Sequence, residues 1–179
     1  MFNSVHEALL WAYRVSASLI MSQGNAASIF NNGQSSGARG SGQGLTQHDH
    51  HAMAAILIRR TEEILSDSPL LLAAVRCEYA GEGRYCHEPM MVLDQHYREK
   101  TGAGVRGGFQ FIIHNLYTAT PNWRDILTSG VAEDICKSRR TFFRVKNEIK
   151  NDIADWVNEA KHILEDDFME NRIVVRKVA

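Results

Sequence analysis

The sequence predicts an all-α protein, a helical bundle with a C-terminal helix-turn-helix and a long C-terminal helix. Three observations carry this. Apolar residues recur at spacings of three and four through much of the 179 residues, the period of helices that bury one face. Helix-start signals stand before several of these runs, at Ser4-Val5-His6-Glu7, Thr46-Gln47-His48-Asp49 and Asp67-Ser68-Pro69. The β-prone tail Ile173-Val174-Val175 offers a single strand, and a lone strand needs a partner.

Residues 1–22 read as the first helix. Ser4 and Glu7 form a capping-box pattern, and Ala8, Leu9, Trp11, Ala12, Val15 and Leu19 lay out one apolar face. Residues 23–44 read as a flexible linker, because Ser35 to Gly44 is too poor in apolar groups to offset its ordering entropy. Arg39 is the linker's one cation, too little for a phosphate-binding loop.

Residues 45–120 read as a helical body. Thr46 is an N-cap, and Ala52, Met53, Ala55, Ile56, Ile58 and Leu65 supply apolar positions. Pro69 suits the first turn of the next helix, and the run Leu70 to Val75 places that helix centrally in the core. Pro89 starts a further segment through Met90, Leu93 and Tyr97, and Phe109 to Tyr117 forms a short apolar helix. Between them, Gly102-Ala103-Gly104-Val105-Arg106-Gly107 matches Gly-x-Gly-x-x-Gly in form. The residues before it, His96 to Lys100, are polar and helix-like rather than a buried strand, so it reads as a turn.

Bulk properties restrict the function. The chain is 44% hydrophobic and 23% charged with a net charge of −1, so nucleic-acid binding requires a local basic patch. Three cysteines at unrelated spacings signal neither a disulfide framework nor a zinc ribbon. No apolar run is long enough for a membrane span, and His6, Glu7 and Arg14 interrupt any secretory signal. A reduced, cytoplasmic location is the expectation, with no membrane partner.

Two groups resemble metal sites at first. His48, Asp49, His50 and His51 are consecutive, so on a helix they point in different directions. Cys77, Cys86 and His87 lack paired spacing. Neither leads to an expected metal or other cofactor. No spacing of nucleophile and base commits the scattered histidines to catalysis, so an enzyme is not expected.

The strongest functional signal lies in residues 121–168. Val131 to Ile135 is a short acidic segment, Cys136 to Ser138 a tight turn, and Ser138 a cap for a second helix. That helix opens on Arg139, Arg140, Thr141 and Arg144, with Lys137, Lys146 and Lys150 extending the basic surface. Arginine is the side chain best suited to bidentate contact with guanine or phosphate. The layout is that of a helix-turn-helix whose second helix enters the major groove, with Lys137, Ser138, Arg139, Arg140, Thr141, Arg144, Lys146 and Lys150 as DNA contacts. The competing reading is a helical interaction module. Phe142, Val145, Ile149, Ile153, Trp156, Ala160 and Ile163 form an apolar stripe, so a core helix with a solvated basic face fits too. The acidic stretch near Glu165-Asp166-Asp167 would then pack on the body or pair with a second subunit, and residues 169–179 form a tail.

Ala132-Glu133-Asp134-Ile135 followed by Ser138-Arg139-Arg140-Thr141 resembles the helix-turn-helix of sigma-factor promoter-reading domains. The wider order, from Leu45 through the Leu-rich helix to a helix-turn-helix near the C-terminus, resembles phage antitermination proteins of the Q type. The likeness covers about two thirds of the chain at the level of pattern. It implies binding to double-stranded DNA at a phage late promoter and loading onto paused RNA polymerase, which then reads through terminators. Related antiterminators carry zinc-binding cysteines; this chain has no Cys-x-x-Cys pair, so zinc is not implied.

Overall fold

The computed structural model describes residues 2–21, 47–80, 87–102, 108–117, 135 and 138–175. They form six α-helices, as the sequence predicts: α1 (Val5–Met21), α2 (Gln47–Ile64), α3 (Pro69–Ala80), α4 (His87–Thr101), α5 (Gly108–Tyr117) and α6 (Arg139–Glu170). The whole of the expected linker, residues 23–44, lies outside the described residues.

Ser4 begins α1 by accepting the Glu7 amide on its hydroxyl. The Glu7 carboxylate reaches back to the amide of Asn3, one residue further than a capping box requires. Val5, Ala8, Leu9, Ala12 and Val15 are buried, while Trp11 is half-buried with its ring against Phe2. In α2 the buried side chains are Ala54, Leu57 and Thr61, followed by Leu65 just beyond the helix. Met53 and Ile56, apolar in the sequence, face outward. Thr61 is tolerated inside because its hydroxyl donates to the Leu57 carbonyl.

Helix α3 is central, as its apolar run predicts: Leu71, Ala73, Ala74, Val75, Cys77 and Tyr79 are all buried. It packs against α1, α4 and α6. Helix α4 starts at His87, two residues before the expected start, because a first-turn proline such as Pro89 removes no intrahelical bond.

Helix α6 spans 32 residues and touches α1, α2, α3 and α5. Its buried stripe is Phe142, Ile149, Ile153, Val157, Ala160, Leu164 and Phe168. Ile163 departs from expectation and is exposed, since the stripe passes through Leu164 on the adjacent row. The stripe shares one continuous core with the preceding helices. Asp167 fastens its far end to α2, accepting from Arg60 Nε and Nη2 at 2.6 Å each.

The tail finds its strand partner at the other end of the chain. Phe2 and Val174 form a parallel bridge, in which Phe2 donates to the Ile173 carbonyl and accepts from the Val175 amide. The pairing is a single bridge, too short to change the all-α architecture.

Candidate nucleic-acid interface

The N-terminus of α6 is built by Ser138, an extended residue (φ −154°, ψ 158°) whose Oγ accepts the Thr141 amide at 3.2 Å. The two hydroxyls lie 3.0 Å apart. Ser138 therefore caps the helix, as expected, and Thr141 serves the same first turn. Phe142, fully buried, pins that turn to the core.

Pinning Phe142 and Ile149 inward fixes what faces outward. Arg140 and Arg144 are exposed, and among the described residues neither is held in an ion pair. Asn147 and Asn151 continue the same row at the next helical spacings and are also exposed. The four span twelve residues, roughly 17 Å of helix. The sequence reading passed over both asparagines. Their signal was the spacing from Arg144, and asparagine is the side chain that pairs bidentately with adenine.

The lysines divide. Lys150 is exposed. Lys146 is turned inward, contrary to the expectation of a backbone contact, and its Nζ donates to the Asn115 carbonyl at 2.8 Å. Burial, followed by the neighbouring Lys150 charge, holds the Lys146 ammonium below the usual lysine range. Arg139 stands in the first turn of the helix. Lys137 and the expected supporting segment Val131 to Asp134, with Cys136, lie outside the described residues. Ile135 is helical and half-buried against the core.

One acid of α6, Asp152, is drawn off this face. Asp152 accepts from the Tyr97 hydroxyl at 3.0 Å and from Lys100 at 2.9 Å, both on α4. Glu148 sits on the same side, beside Tyr97 and Lys100. Along the whole helix the charge is polarised. Residues 139–150 hold five cations and one acid, whereas 151–170 hold one cation and seven acids. This opposes the helix dipole, which favours acids at the N-terminus and cations at the C-terminus by about 0.3–1 kcal/mol each. The first turn has no acid and the last turn no base.

Among the described residues no three His, Cys, Asp or Glu side chains gather as a metal site. Cys77 is buried in the core, His50 packs edge-on to Trp11, and Cys86 lies outside the described residues. No described helix is long and apolar enough to cross a membrane. No protein-family model matches the chain, and no curated protein matches it.

Proposed function

We propose that the chain is a DNA-binding regulator that presents the first three turns of α6 to the major groove. The observation that carries this reading is the polarity of α6. Five of the six Lys and Arg residues of α6 stand in its N-terminal part, Arg139 and Arg140 in the first turn where the dipole disfavours cations, and Arg140 and Arg144 are exposed. Apart from the Lys146 bond to the Asn115 carbonyl, folding gains little from that arrangement, whereas a polyanion would be attracted by both the side chains and the dipole. Arg140, Arg144, Asn147 and Asn151 supply guanine- and adenine-reading groups on one row, and Lys150 supplies a backbone contact.

Fluorescence anisotropy with fragments selected from the source genome tests this over a salt series. Affinity should fall steeply as salt rises. Arg140→Ala and Arg144→Ala should each lose about 1–3 kcal/mol at a cognate site if the side chain reads a base. Absence of binding at low salt, or full affinity in both variants, removes the proposal. Within it, the resemblance of Ala132 to Thr141 and of the helical order favours a phage-type antiterminator acting on RNA polymerase. Terminator read-through in a purified transcription reaction is its assay, and an unchanged read-through level rejects that subclass.

A second reading, a helical interaction module without DNA binding, is favoured by α2. Met53 and Ile56 stand at i, i+3 on its outer face, and Ile56 is 64% exposed. Charging that face with Ile56→Glu would then abolish the activity, while the arginine variants would retain it.

A further inference from the structure

Where α6 passes α1, α3 and α5, it forms one wall of an open cleft of about 590 Å³, within the range of roughly 300–1,000 Å³ typical of small-molecule sites. Lys146, Lys150 and Lys161 line it from a single helix. Among the described lining residues Glu78 is the one carboxylate, so the cleft carries an excess of positive charge. Lys146 uses one ammonium proton on the Asn115 carbonyl and keeps two donors for another acceptor. Partly desolvated beside Lys150, it gains most from an anion that restores what burial removed. Below the lysines the wall is apolar, with Leu116, Ile153 and Val157.

We propose that this cleft binds a small organic phosphate, with the phosphate on Lys146 and Lys150 and an apolar ring system on Leu116, Ile153 and Val157. Phosphate is the dianion that matches two adjacent ammoniums, and the apolar wall adds a preference for an ester with a hydrophobic body over the bare ion. The site lies roughly a third of a turn around α6 from Arg140 and Arg144 but shares Asn147 and Lys150 with the proposed DNA face. A ligand there would therefore compete with DNA for Lys150 and act as an effector of the protein.

Calorimetric titration of the full chain with adenosine 5′-monophosphate and with inorganic pyrophosphate, at low ionic strength, tests the site. The nucleotide should bind more tightly than pyrophosphate. Lys150→Gln/Lys161→Gln should weaken it at least tenfold, while Arg140→Ala/Arg144→Ala leaves it unchanged. Neither of these lysines is buried, and circular dichroism checks that both double variants keep their helices. The proposal is overturned by no heat from either probe, by equal affinity in the lysine variant, or by equal loss in the arginine variant, which marks a diffuse field. Binding of short duplex DNA that depends on Lys150 and Lys161, with neither small probe bound, also overturns it and assigns these lysines to the DNA backbone. Because the arginine variant reports on DNA binding separately, failure of either proposal is read independently of the other.

Discussion

Asp94, on α4, caps the N-terminus of α5 through the backbone amide of Phe109. Its Oδ1 accepts that amide at 2.9 Å and the Gln110 amide at 3.1 Å, while Oδ2 takes Arg98 Nε at 3.0 Å. The carboxylate is fully buried. It satisfies orphan amides of a helix that begins on Gly108, a residue with no side-chain oxygen to do so.

Asp94→Ala should therefore destabilise the fold by about 3 kcal/mol, combining a lost cap with an abandoned Arg98. Asp94→Asn keeps an acceptor for the amides and should lose less. Urea unfolding of both variants measures the difference, and equal losses would show that charge, not capping geometry, is what matters.

Tyr13 is stacked on Tyr79, and its buried hydroxyl lies beside Arg76 without a hydrogen bond of good geometry. Tyr13→Phe removes an unsatisfied polar group, so stability at neutral pH should hold or rise by about 1 kcal/mol. A loss of that size would reveal a bond that the hydroxyl makes.

The same tyrosines set an alkaline limit. Burial pushes the Tyr79 hydroxyl up to about 12 and that of Tyr13 further. Burial raises Tyr97 as well, followed by the adjacent Asp152 carboxylate. The folded state thus holds protons that the unfolded chain releases near pH 10. Their contribution is complete below about pH 10 and is lost as pH rises toward the folded values. Chemical denaturation between pH 9 and 12 should show falling stability, with a shallower fall in Tyr13→Phe.

Arg172 ends α6 in the left-handed region at φ 55°. The Ile173 amide returns to the Phe168 carbonyl and the Arg172 amide to Met169, the Schellman pattern in which this position is usually glycine. Arg172→Gly should stabilise by roughly 0.5–1 kcal/mol, the relief of left-handed strain exceeding the added entropy of glycine. A thermal melt should show the midpoint rising for glycine and not for Arg172→Ala.

Lys146→Met should separate packing from recognition. Loss of the bond to the Asn115 carbonyl should lower stability by about 1 kcal/mol, with a smaller effect on DNA affinity than Arg140→Ala. If the lysine variant instead loses the greater share of DNA affinity, the inward assignment of Lys146 is wrong.

Local signals along the chain set the helices. The period of the apolar residues, Pro69 in a first turn and the Ser138 cap are local signals, and local hydrogen bonding obeys them. The outward placement of Arg140 and Arg144 was legible for the same reason, since the positions of Phe142 and Ile149 fix the opposite face of one helix. What a side chain meets across the fold was not legible. Lys146 and Lys150 look equivalent in the sequence, yet Asn115, 31 positions away, draws only Lys146 inward. No local signal marks Asp94, which becomes a cap only because α5 folds back onto it, and the β-prone tail had no partner until α6 carried it to Phe2. In α2 the sequence suggested Met53 and Ile56 as apolar positions and not Ala54 and Leu57, whereas contact with α1 and α6 buries the second pair and leaves the first exposed. These outcomes depend on long-range contacts, which the period of a single helix does not encode.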